Sequence, residues 1–404
     1  MIRVRRILAC LILLGLSLTL DPTPIRAARS PAISTTTRVE YDFAQVMTFF
    51  LTATSDTRIY GAKVFYQAEG TPLLQADATF EPGLSIEAQV SVELRGGVFP
   101  PFSKVTYWWE IASDDRPVWP VPRQTVDYYD DRFTWQRISN GGVTVQWAEG
   151  DRAFAESILG TALEALPGLT AEIGVTPPSN IDVYVYPSLD DLKTALRLGG
   201  REWAGGQARP ELGVVLVDVP PTPTALVQMR RAIPHELAHL LVYAAAQPGY
   251  DHVPAWLNEG LATANEASPD PAQAVALETA VRAGTLLSFE SLCAPFPADA
   301  NQAQLAYAQS GDVVQFIRNR YGGQGIRNLL AAYRENATCA AGVQRALGVS
   351  LPVLEDEWRA QFGLGGGAVS AVTQTSVPWV VLLVVIGLAL LPMVMGLPAS
   401  RRKT

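Results

Sequence analysis

Histidine is scarce in this chain, three in 404 residues, and cysteine is equally rare. A basic surplus is missing too: 31 Lys and Arg stand against 39 Asp and Glu, a formal net charge of −8. Without such a surplus there is no electrostatic footprint for a polyanion, which excludes nucleic acid as a partner. Of the cysteines, Cys10 falls in a leader-like start, leaving Cys293 and Cys339 as an even pair. In an exported chain that pair suggests one disulfide closing a loop around the last helices; two buried free thiols are the alternative.

Charge vanishes altogether from Trp379 to Pro398, a run about 30 Å long as a helix. Residues 378–398 are therefore expected as a transmembrane helix, after a linker at 364–377. Arg401, Arg402 and Lys403 follow at once, which by the positive-inside rule makes 399–404 a cytoplasmic tail. No Leu-Pro-x-Thr-Gly sorting signal precedes the run. Residues 1–28 read as a signal peptide: Arg3, Arg5 and Arg6, then apolar Ile7 to Leu20, then Ile25-Arg26-Ala27-Ala28 as the exit. An uncleaved N-terminal anchor is the other reading. The expectation is a single-pass protein of the cell membrane, with everything between the two segments outside.

What lies between has room for two domains, each with its own core. Residues 29–125 alternate apolar and polar, as in Val39, Tyr41 and Phe43, in Ile86 to Leu94, and in Val105, Tyr107, Trp109 and Ile111. Turn signals at Glu69-Gly70, Pro82-Gly83, Gly96-Gly97 and Pro100-Pro101 break the runs. This predicts an all-β immunoglobulin- or fibronectin-like sandwich, either a spacer or a substrate-binding module. From 126 to 363 the pattern turns mixed. Ser139-Asn140-Gly141-Gly142 marks a hairpin, Arg152 to Leu166 has helical spacing, and Ile181 to Tyr186 and Gly213 to Val219 read as strands. Helical spacing dominates beyond Pro223. Pro234 is awkward there: it either opens the helix or kinks a longer one.

The few histidines are concentrated. His235-Glu236-Leu237-Ala238-His239 puts two imidazoles at i and i+4, on one face of a helix, where both can grip one ion. Glu236 lies beside that ion but turned from direct ligation, the place for a general base acting on water. Glu259, in Trp256-Leu257-Asn258-Glu259-Gly260 on a second amphipathic segment, offers a third ligand. Three protein ligands leave one zinc position open, the catalytic pattern. A helix with two solvated histidines and a salt-bridging Glu236 is the plainer alternative.

These two motifs together resemble the gluzincin branch of zinc metallopeptidases, the peptidase MA-like superfamily. Membrane alanyl aminopeptidases carry nearly the same Trp-Leu-Asn-Glu-Gly words. The resemblance covers about residues 126–363, with its specific motifs at 235–259. It implies an α+β zincin-like catalytic domain, a small sheet followed by a mostly helical part. It implies Zn2+ held by His235, His239 and Glu259, with Glu236 as the general base, hydrolysing peptide bonds of a protein or peptide substrate outside the cell. Gluzincins add a Tyr or His that steadies the oxyanion; Tyr307 is the candidate, a core tyrosine being its other reading. In such enzymes the strand before the metal helix, here Gly213 to Val219, is often the sheet edge that an extended substrate joins. Gly205-Gly206 just upstream would admit another backbone at close range. His252, between the ligand helices, either lines the cleft or is simply exposed.

The chain departs from the family's pattern in places. The Gly-x-Met-Glu-Asn element of the aminopeptidases is absent. Four residues after Glu259, where some gluzincins carry a carboxylate that orients a ligand histidine, stands Thr263. A metzincin's third histidine would fall at Ala245, which excludes that branch. Two further readings stay open: a membrane-tethered binding protein with an inactive zincin domain, and a hydrolase of a non-peptide amide.

Overall fold

The computed structural model describes residues 33–94, 98–196 and 205–364. The first part is β structure: β1 (Ser34–Asp42), β2 (Val46–Ala68), β3 (Leu74–Asp77), β4 (Gly83–Glu93), β5 (Ser103–Ser113), β6 (Arg116–Pro120) and β7 (Gln124–Tyr128). All are antiparallel, and all join through β2 and β5. The first half of β2 pairs with β1 and β4, its second half with β3 and β5. Register breaks between Thr54 and Gly61 move the inward face from Met47, Phe49, Leu51 and Ala53 to Ala62, Val64, Tyr66 and Ala68.

Phe49 stacks on Tyr66 of the same strand with ring centroids 5.2 Å apart. A straight strand would hold those residues more than about 50 Å apart at about 3.3 Å per residue. The strand therefore doubles the sheet back on itself, and Tyr107 of β5 closes on Phe49 at 5.1 Å. An immunoglobulin-type sandwich has two separate sheets. Here both layers belong to one seven-stranded sheet that shares β2.

The second part contains β8 (Gln136–Asn140), β9 (Val143–Trp147), α1 (Arg152–Ile173), β10 (Ile181–Tyr186), α2 (Leu189–Leu196), β11 (Gly206–Arg209) and β12 (Val214–Asp218). Helices follow: α3 (Ala225–Ala246), α4 (Ala255–Ala264), α5 (Pro271–Ala283), α6 (Phe289–Leu292), α7 (Ala300–Arg334), α8 (Cys339–Leu347) and α9 (Leu351–Ala360). The five strands run β11-β12-β10-β9-β8, with β9, β10 and β12 parallel and an antiparallel strand at each edge. Strand alternation gives the sheet two buried faces. Val145, Val183 and Val217 pack against α1 and α3, while Tyr186 and Leu216 join the core of the β module. The sheet is thus the middle layer between module and helices. Cys293 and Cys339 form a disulfide that ties the end of α6 to the start of α8.

Two expectations need correction. The stretch Gly213 to Val219 is not the sheet edge: β12 lies between β10 and β11, and its first four residues are buried. The edge is β11, four residues beginning at Gly206, too short to show a period of two. Second, no helix among the described residues is long and apolar enough to cross a membrane, so the single-pass membrane architecture is not supported. The described helices with the length to span are charged: α1 carries Arg152, Glu156, Glu164 and Glu172, α3 carries Arg230, Arg231 and Glu236, and α7 carries Asp312, Arg318, Arg320, Arg327 and Arg334. The segments read as signal peptide (1–28), transmembrane helix (378–398) and tail (399–404) lie outside the described residues.

Candidate metal centre

Helix α3 buries Met229, Ile233, Leu237, Leu240 and Leu241 on its core side. Pro234 sits inside it, in the middle of a longer helix. The opposite stripe, at a spacing of four, carries Arg231, His235 and His239 into a cavity of about 630 Å³. Helix α4 returns antiparallel against this stripe and delivers Glu259. Its neighbour Gly260 lets the other side of α4 pack on α7: a Cβ there would meet the Ser310 backbone oxygen of α7 at 2.5 Å. The glycine of the Asn-Glu-Gly word therefore serves helix packing.

His235, His239 and Glu259 each direct a ligand atom to one point, with all three atoms within 4.8 Å of one another. Glu259 Oε2 is 3.7 Å from His235 Nε2 and 3.5 Å from His239 Nε2. The far side of each ring is fixed. His235 Nδ1 donates to Glu266 Oε1 at 3.0 Å, and His239 Nδ1 donates to Asn258 Oδ1 at 3.1 Å. Asn258 is oriented in turn by donating to the Tyr250 hydroxyl at 3.4 Å. Both Nε2 atoms are thereby left facing Glu259, the tautomer a metal ligand requires. Burial pulls the His235 pKa down, but its hydrogen bonds to Glu259 and Glu266 outweigh that and push it up to about 10. An incoming cation must displace that proton.

Glu236 faces the other way, toward the edge strand. Its residue is 6 % exposed, and it accepts a hydrogen bond from the Ala208 backbone N–H. Burial raises its carboxyl above the ordinary carboxylate value, with His235 and His239 pulling back. Strand β11 passes so close that a Cβ on Gly206 would lie 2.5 Å from Glu236 Oε1. Gly206 is where the close backbone approach occurs, and the backbone it admits is this chain's own.

Tyr307, on α7, lines the same cavity with its ring 6.1 Å from that of His235 and edge-on to Phe296 at 5.1 Å. His252 is exposed and does not line the cavity. Three contributors escape the motif reading: Glu266, Asn258 in its orienting role, and Tyr250. Glu266 carried no periodic signal, since it lies two residues past the end of α4. Thr263, the position examined for that carboxylate, is where α4 meets Gly311 of α7 instead.

No curated protein sequence matches the chain. Among solved structures it is similar to an aminopeptidase N family protein from Idiomarina loihiensis, at 9% identity over 83% of this chain and 72% of that one, with a TM-score of 0.34. It is also similar to a family 56 carbohydrate-binding module described as a β-1,3-glucan binding domain, at 12% identity over 23% of this chain and 98% of that one, with a TM-score of 0.16. Likenesses this slight bear on neither function nor ligand. The family profile is different in kind: that of the peptidase MA superfamily matches residues 161–363, half of the chain and the whole of the site just described. The chain belongs to the peptidase MA superfamily.

Proposed function

We propose that this protein is a zinc-dependent metallopeptidase in which Glu236 is the general base. The observation that carries the reading is the convergence of His235, His239 and Glu259 within 4.8 Å, with Glu236 beside them. The donor set fits zinc: two neutral imidazole nitrogens and one carboxylate oxygen are a ligand set of catalytic zinc. The orienting hydrogen bonds from Glu266 and Asn258 support it further. When bound there, zinc would supply the Lewis acidity that makes water a nucleophile near neutral pH and polarises a carbonyl.

The rest falls to the chain's own side chains. Glu236 takes a proton from the attacking water, for which its buried carboxyl is a stronger base than a solvated one. It then hands that proton to the departing amine. Tyr307, across the cleft from His235, donates its hydroxyl to the developing oxyanion. Tyr250 holds Asn258, and burial keeps its own pKa up at about 12, so it stays protonated through the working range. The Cys293–Cys339 disulfide supports action in an oxidising compartment.

The test is metal analysis joined to cleavage of a mixed peptide library. Wild type should bind zinc and cleave, and a chelator should stop it. Glu236→Gln should keep zinc yet lose turnover by at least about 10³-fold, whereas His239→Ala should lose the metal. Full activity in Glu236→Gln would rule out the mechanism.

A further inference from the structure

The cavity does not end at the metal ligands. One turn before His235 on the same stripe of α3 stands Arg231, and opposite it the cleft face of α7 carries Asn301 and Gln304 ahead of Tyr307. The start of α5 closes this end with Asp270 and Gln273. Among the described residues lining the cavity there is no Leu, Ile, Val, Met, Phe or Trp. That is unusual, because ligand pockets are lined mainly by apolar side chains with few polar groups.

The one arginine here is already paired. Arg231 Nη1 donates to Asp270 Oδ2 at 3.3 Å, and its Nε donates to the Ser268 carbonyl at 3.2 Å. Asp270 is itself fixed, since its Oδ1 accepts from the Ala272 N–H at the head of α5. Glu266, 3.9 Å from Arg231, is occupied by His235. This end of the pocket therefore offers an ion pair already made, with Glu266 as a further carboxylate beside it. What it offers freely is amides: Gln273, Asn301 and Gln304 hydrogen-bond through their side chains to no other described residue.

We infer that this pocket is a specificity subsite for a neutral polar side chain, of the Asn or Gln type, next to the scissile bond. The inference rests on the peptidase reading above and adds the substrate class to it. An amide side chain both donates and accepts, so it can satisfy the pocket amides in pairs. A Leu or Phe entering instead would strip water from those amides and the Arg231–Asp270 pair and return no hydrogen bond. Sites built to hydrogen-bond their substrate reject analogues lacking the group far more strongly than apolar pockets reject an added one. A Glu side chain would meet Asp270 and Glu266.

The experiment is a position-scanning peptide library incubated with the zinc-loaded full-length protein, scored by the residues flanking each cut. Cuts beside Asn or Gln should exceed those beside Leu or Phe by at least about tenfold. The double variant Gln273→Leu with Gln304→Leu should retain its zinc and swing the ratio toward Leu and Phe. An apolar or a basic preference in wild type overturns the subsite while leaving the peptidase standing, as does an unchanged ratio in a zinc-bound double variant. No cleavage of any library member by zinc-loaded protein overturns both.

Discussion

The two sides of the catalytic cleft are built by different means. On the ligand side both histidines are set by side chains: Glu266 sets His235, Asn258 sets His239, and Tyr250 sets Asn258. On the base side Glu236 is set by backbone, namely the Ala208 N–H and the bare Cα of Gly206. The first arrangement tolerates change in steps, because a hydrogen bond can be weakened or replaced. The second is steric. A strand lying against a carboxylate either fits or displaces it.

That contrast predicts its own largest effect. Gly206→Ala puts a methyl group where Glu236 Oε1 stands, and so forces the carboxylate or the edge strand to move. Misplacing a catalytic group by about 1 Å costs on the order of 10²-fold in rate, so kcat should fall by about that much. Zinc content should be unchanged, since none of the three ligands touches Gly206. Loss of metal in this variant would break the division between the two sides.

Glu266→Ala should give the reverse signature. It removes the acceptor that fixes the His235 tautomer, and such a change typically lowers metal affinity by about 10–100-fold. With zinc held in excess, turnover should return close to the wild-type value. Asn258→Ala belongs to the same class and should cost less, about tenfold in affinity or under, because a neutral amide gives a weaker hydrogen bond to an imidazole than a buried carboxylate does. Titration of metal-free protein with zinc, followed by a kcat measurement at saturation, orders the two variants. An equal loss in both would show that the carboxylate's charge adds nothing.

The same contrast explains what could be read from the sequence. Side-chain chemistry at helical spacing is written in the letters, so His235, Glu236, His239 and Glu259 stood out, and alternation exposed β4 and β5. Backbone chemistry is not. The four residues of β11 have too little length for a pattern, and the strand with the better pattern, β12, drew the edge assignment although it lies in the sheet interior. Likewise nothing in β2 announces that it serves two layers, because the register breaks near Ile59 interrupt pairing without interrupting β-formers. Glu266 lies two residues past the end of α4, so no helical period ties it to Glu259, and only the fold brings it to His235. Gly260 was noticed as part of a word, whereas its reason is the α7 backbone behind it.

The smallest effect tests the base side through stability. In metal-free protein, burial holds the Glu236 carboxyl above its ordinary pKa. A group whose folded pKa is raised stabilises the fold below its unfolded pKa, about 4.3 for Glu, and loses that contribution as pH rises through the folded value. At neutral pH, above the unfolded value, the raised Glu236 carboxyl therefore costs stability. Glu236→Gln removes the charge while its amide oxygen still accepts from the Ala208 N–H. Metal-free Glu236→Gln should accordingly melt higher than metal-free wild type at pH 7 to 8, by on the order of 2 °C for a domain of this size. The gap should close toward pH 4, where the wild-type carboxyl is protonated in both folded and unfolded chains. A gap that instead widens on acidification would mean that the strand holds Glu236 as a stabilised anion, and the backbone contact would then be an electrostatic support and not a steric one.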